Sequence, residues 1–252
     1  MRVPAKGWKP SGWDPSVFQS RTLVTTANVS ARNAIRTPQF WCLWAVLCLN
    51  VTAGIGILEK AAPIYQDFFP TATSKAALAS AAAGFVAILS LANMSGRFIW
   101  SSASDRIGRK HIYRCYLGIG ALLYLAIVLT TNANKVVFLV CTLLIISFYG
   151  AGFATVPAYL RDLFGTFEVG AIHGRLLTAW STAGVLGPLI VSYMREAAIS
   201  AGVPRSSVYD VTLYLLAGLL VIGLIANLMV RPVAQKWFMS DAEVAAVQGN
   251  MS

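Results

Sequence analysis

Gly96-Arg97-Phe98-Ile99-Trp100-Ser101-Ser102-Ala103-Ser104-Asp105-Arg106-Ile107-Gly108-Arg109-Lys110 is the stretch whose reading decides the fold. It starts inside an apolar run and ends in a cluster of charge, and a second apolar run opens at Ile112. Two long apolar segments joined by so short a basic hairpin must lie side by side and antiparallel. The surrounding composition says in what medium. Of 252 residues, 57% are hydrophobic and 12% charged, with a mean hydropathy of +0.65. Soluble domains carry about 25% charged residues, so the chain is read as a membrane protein. Its net charge of +10 does not point to nucleic acid, because the basic residues sit between apolar runs rather than on one soluble face.

Six apolar runs lie at about 39–58, 76–100, 112–131, 136–160, 171–194 and 211–230. Each is near the roughly 20 residues that cross a bilayer. In lipid they must be helices, since each segment has to satisfy its own backbone polar groups. Glycines recur along them, as in Gly54-x-Gly56, Gly118-x-Gly120, Gly150-x-Gly152 and Gly184-x-x-Gly187-Pro188. Their expected work is close helix packing, with a kink at Gly187-Pro188. Cys42, Cys48, Cys115 and Cys141 lie in or beside apolar runs without metal-site spacing, and His111 and His173 stand apart. Neither metal nor cofactor is implied. No HExxH, GxSxG or Walker-type loop suggests an enzyme.

Orientation follows from lysine and arginine. With the amino end cytoplasmic, that side carries Arg2, Lys6, Lys9, Arg21, Arg32, Arg36, Arg106, Arg109, Lys110, Arg114, Arg161, Arg231 and Lys236. The other side carries Lys60, Lys75, Lys135, Arg195 and Arg205. Thirteen against five places both termini in the cytoplasm of a multi-pass protein of the inner (plasma) membrane. Residues 1–36 read as a cytoplasmic, linker-like segment, extended over its Pro- and Gly-rich start, 37–231 as the six-helix bundle and 232–252 as a cytoplasmic tail. Glu59 and Lys60 are read as interfacial charges in preference to an external gate.

The core of the opening stretch, Asp105-Arg106-x-Gly108-Arg109-Lys110, resembles the cytoplasmic loop signature of major facilitator superfamily transporters. A second copy of the motif is not seen, and the resemblance covers about 37–231. It implies an all-α membrane protein whose six transmembrane helices form one half of a major facilitator fold, the carboxy-terminal half. It also implies an amino-terminal six-helix half as partner, besides membrane lipid. In that family the loop latches the cytoplasmic side. Asp105 would then face the amino end of the fifth run near Val169-Gly170, Gly108 would allow the turn, and Arg106, Arg109 and Lys110 would pair with Asp162, Glu168 or anionic lipid.

Further stretches resemble the oxalate/formate antiporter family within that superfamily: Thr37-Pro38-Gln39-Phe40-Trp41, Leu49-Asn50-Val51-Thr52-Ala53-Gly54, Phe164-Gly165, Gly170-Ala171-Ile172-His173-Gly174 and Thr178-Ala179-Trp180. The resemblance implies that Arg97 binds a substrate carboxylate and that Tyr149, Phe153 and Trp180 line the same cavity. On position alone, snorkelling of Arg97 to the headgroups weighs equally. Oxalate-transporting members carry a second cation, a lysine, where this chain has Trp180. One buried cation balances one carboxylate, which favours a monocarboxylate such as formate, pyruvate or lactate over oxalate. The expected function is secondary active transport of a small organic anion by alternating access. The alternative is a truncated or non-transporting module that needs a partner half.

Overall fold

A computed structural model describes residues 23–70, 74–130, 134–240 and 242–244. The extended start expected over Met1–Pro15, and Arg21, lie outside them. The described chain is helical, without strands beyond an isolated bridge between Val29 and Phe238. Its α-helices are α1 (Ala31–Ala34), α2 (Pro38–Glu59), α3 (Ala61–Phe68), α4 (Lys75–Ile107), α5 (Arg109–Thr130), α6 (Lys135–Phe164), α7 (Val169–Ser200) and α8 (Asp210–Met229). Six of them, α2 and α4 to α8, are long and apolar enough to cross a membrane.

Local chemistry sets several helix starts. Thr37 accepts from the Phe40 N–H and Pro38 occupies the first turn, so α2 begins where its apolar run begins. Ser74 and Asn134 cap α4 and α6 in the same way. The ends differ from expectation. The second run was expected to stop near residue 100, yet α4 continues to Ile107. Charge ends an apolar run but not a helix: Ser102, Asp105 and Arg106 on the last turns are exposed, and the buried Ser104 hydroxyl donates to the Ser101 carbonyl. At 33 residues α4 is about 50 Å long, well beyond the roughly 30 Å of hydrocarbon. Arg97 stands ten residues, about 15 Å, from the end of α4. Gly108 then turns the chain with φ of 98°, a backbone that suits glycine.

Backbone-close crossings order the bundle. On α4, a Cβ built on Gly96 would stand 2.8 Å from the Ser147 carbonyl carbon on α6. On α7, a Cβ at Gly187 would meet the Thr52 carbonyl of α2 at 2.8 Å. The expected packing role holds for Gly54, Gly56, Gly120, Gly150, Gly152 and Gly187, whereas a Cβ on Gly184 would meet nothing within 4 Å. Pro157 and Pro188 lie inside α6 and α7. α4 packs chiefly on α6, α7 on α2, and α5 on both α6 and α8. Burial follows: 61% of the membrane windows of α2 and α6 is buried, but only 17% in α4 and 28% in α7. α2 and α6 form the floor, and α4 and α7 stand as walls with one side each open.

Two features had no counterpart in the sequence reading. α3 is a short helix that follows the carboxy-terminal end of α2, with Ile64, Tyr65 and Asp67 buried. Before α2, residues 23–35 do not hang as a plain tether. Val29 donates to the Phe164 carbonyl (2.9 Å), and the Asn28 side chain accepts from the N–H groups of Thr166 and Phe167 (3.1 and 3.2 Å). Met239 in turn donates to the Asn28 carbonyl at 2.8 Å. The segment before α2 and the segment after α8 therefore join across the α6–α7 turn.

Candidate functional site

The α4–α6 crossing places Arg97. One turn before it, Asn93 lies against Gly150, whose missing Cβ leaves room for the Asn93 backbone and amide. The Asn93 Oδ1 accepts from Arg97 Nε at 3.2 Å. The Arg97 guanidinium sits over the Phe153 ring at 5.8 Å from its centroid, within cation–π range. The Phe153 ring lies 5.8 Å from that of Trp180 on α7. Tyr149, one turn before Phe153, rests on Gly54 of α2, where a Cβ would come within 2.6 Å of its ring. Its hydroxyl is within electrostatic reach of Trp180 and Arg97. Two residues before Trp180, the Thr178 hydroxyl accepts from Trp44 at 2.9 Å, which ties α2 to α7.

Arg97, Tyr149, Phe153 and Trp180, named from sequence as one group, thus come together on the open side of α4, α6 and α7. The Arg97 guanidinium lies over Phe153, about three turns from the end of its helix. Among the described residues no carboxylate lies within ion-pair distance of it. Arg97 and Trp180 are exposed in the isolated bundle, while Tyr149 is buried. Chemically this is a forked cation against aromatic walls, a setting that suits a small planar anion. No group of three or more metal-binding side chains occurs among the described residues.

The hairpin residues are joined differently from expectation. Arg109 donates to the Ser104 hydroxyl and the Asp105 carboxylate, and its Nε lies 3.8 Å from Asp162 Oδ2. The Asp162 pairing was anticipated. Asp105 was expected at the start of α7, and the ion pair seen for it is with Arg109, one turn on. Glu168, expected to meet loop cations, accepts from the Ala31 N–H at 2.7 Å. Lys110 caps the end of α8, donating to the carbonyls of Leu228 (3.0 Å) and Val230 (2.6 Å). Arg106 is exposed on the last turn of α4.

Sequence reading missed two groups. Asn93 was legible as a polar residue at i−4 from Arg97, a spacing that puts both on one helix face. Asp67 gave no such signal. It is 5% exposed and accepts from Arg195 Nη2 (2.7 Å), Arg195 Nε (3.0 Å) and the Tyr209 hydroxyl (3.0 Å). Arg205 lies 3.8 Å away. These contacts bind α3 to the carboxy-terminal end of α7 and the start of α8. Burial and the Asp67 charge hold the Tyr209 hydroxyl proton well above its usual range.

With this geometry in place, comparisons supply the kinship. The Oxalate:formate antiporter of Oxalobacter formigenes is 27% identical over 169 residues, 67% of this chain and 39% of that protein. The Uncharacterized MFS-type transporter YhjX of Escherichia coli (strain K12) is 24% identical over 151 residues, 60% of this chain and 36% of its own length. The matched stretch spans less than two fifths of either relative. The model of the Major Facilitator Superfamily matches residues 2–188 and, in a second alignment, 78–246. Six membrane-length helices, glycine-paired crossings and that match together make this chain a member of the Major Facilitator Superfamily, a family of transporters and not of enzymes.

Proposed function

We propose that the chain forms one wall of a pathway for a small organic anion, exchanged or co-transported by alternating access. The observation that carries the reading is Arg97: a guanidinium ten residues from the end of α4, over the Phe153 ring that in turn lies beside Trp180, with Tyr149 within electrostatic reach and no carboxylate at ion-pair distance among the described residues. Holding a charge inside the membrane costs about 2.5–3.5 kcal/mol on insertion scales, a cost that function has to offset. The name of the Oxalobacter formigenes relative agrees with the chemistry. The single cation supports a monocarboxylate such as formate, pyruvate or lactate over oxalate. The lysine tally supports both flanks on the cytoplasmic side.

The open sides of α4 and α7 favour a second element in the reading. Ile88, Leu91, Met94 and Phe98 on α4, and Val185, Leu189 and Tyr193 on α7, are exposed large apolar residues. A six-helix partner half set against these walls would close the hollow. Without it the chain is a non-transporting module.

Uptake of labelled formate into vesicles from cells making the full protein tests the first reading. Arg97→Lys keeps the charge but loses the fork, and is expected to lower uptake at least 10-fold. Unlabelled pyruvate should compete better than oxalate. Uptake indifferent to Arg97, or oxalate competing clearly better, refutes the reading in its general or its specific part. Co-purification of a second six-helix chain or segment tests the partner.

A further inference from the structure

We infer that Asn93 is a positioning residue: it fixes which edge of the Arg97 guanidinium meets the anion. This inference rests on the proposed transport site. A guanidinium offers five N–H donors and accepts nothing, so only the Asn93 Oδ1, not its NH2, can face Arg97 Nε. The observed 3.2 Å contact uses that Nε–H. Arginine can grip a carboxylate in two ways, side-on through Nε and one Nη, or end-on through both Nη groups. With Nε held by Asn93, the side-on edge is closed. The two terminal Nη groups remain, and they take one carboxylate end-on.

The surroundings make the arrangement a built one. Asn93 packs directly on Gly150, with its Oδ1 2.7 Å from where a Cβ on that glycine would stand. The guanidinium is held a second time from Phe153. Asn93 and Arg97 are one turn apart on α4, so their relation survives any rigid movement of that helix. An amide suits this role better than a carboxylate. Aspartate would make the same hydrogen bond but neutralise the cation, and an anion would then find the fork occupied. The site thus holds its guanidinium in place without spending its charge.

The test is the order of two variants, assayed as labelled formate uptake into vesicles, with KM and maximal rate measured separately. Asn93→Asp has the shape of the native residue and keeps the acceptor. Asn93→Ala loses the acceptor and adds no bulk. If Asn93 positions the fork, Asn93→Ala raises KM about 5-fold, the loss of one hydrogen bond. Asn93→Asp raises it at least 10-fold more, because it supplies a competing carboxylate. Maximal rates corrected for protein in the membrane stay within about 2-fold. If Asn93 merely fills space beside Gly150, the order reverses and the isosteric Asp is the milder change, which overturns the inference. So does Asn93→Ala with wild-type KM while Arg97→Lys abolishes uptake. If Arg97→Lys has no effect, the transport-site reading itself has failed, a result separate from the order of the Asn93 variants.

Discussion

Replacing Gly96 by alanine puts a methyl where α4 and α6 touch through their backbones. The new Cβ would lie 2.8 Å from the Ser147 carbonyl carbon and Cα, and closer still to its oxygen. Ordinary contact begins at 3.4 Å, so the helices must part by at least 3.4 − 2.8 = 0.6 Å. The obstacle is backbone, which no rotamer change can clear. Overpacking of this kind costs about 1–3 kcal/mol. Alanine returns about 0.5–1 kcal/mol of helix propensity, leaving a net loss of about 1–2 kcal/mol. At about 2–4 °C per kcal/mol for a chain of this size, the Tm should fall by about 2–8 °C. Gly84 on the same helix is the internal control: a Cβ there meets nothing within 4 Å. Gly84→Ala should leave the Tm unchanged or raise it by a few degrees. Thermal unfolding of the purified chain in detergent reads both. Gly96→Ala as stable as Gly84→Ala would refute the claim that these helices touch backbone to backbone.

Asp67→Asn should lower stability by about 2 kcal/mol, read as Tm, because it leaves Arg195 without its carboxylate; the partial exposure of Arg195 keeps the loss below that of a fully buried pair. Gly108→Ala forces a side chain into φ of 98° and should cost about 1–2 kcal/mol, while Ile107→Ala next to it, an exposed site, should cost less. Tyr209 gives a pH prediction. Its folded-state pKa is raised, so the unfolded chain releases the proton first, and stability is complete below about pH 10 and falls as pH rises beyond it. Tyr209→Phe should lose stability at neutral pH, through its missing bonds to Asp67 and Arg195, but show a shallower decline between about pH 10 and 11. A parallel decline would show that Tyr209 is not the group responsible.

Helix number could be read from the chain because lipid leaves a backbone few choices: each apolar run had to be a helix. Pairing could not: the two runs joined by the Asp105–Lys110 hairpin, expected side by side, pack mainly on other helices, α4 on α6 and α5 on α6 and α8. Helix ends could not. The continuation of α4 past residue 100 rests on polar and charged turns that carry no hydropathy signal. The grouping of Arg97, Tyr149, Phe153 and Trp180 came from resemblance, not from spacing, since no periodicity says which face of α7 turns toward α4. Pairing among charges was the least legible. Asp67 and Arg195 are 128 residues apart, and nothing local to either marks the other. Glu168 was assigned to cations on charge alone, whereas a backbone N–H from Ala31 reached it first.

The junction of Asn28, Val29, Phe238 and Met239 has a mechanical consequence. Residues on both flanks of the bundle are fastened to the same elbow, the turn from Phe164 to Phe167 between α6 and α7. α6 bears Tyr149 and Phe153, and α7 bears Trp180. A pull on the segment before α2 is therefore delivered to the base of the two helices that carry the aromatic walls, not dissipated in a slack tether. That segment is a handle, and the elbow is where its leverage arrives.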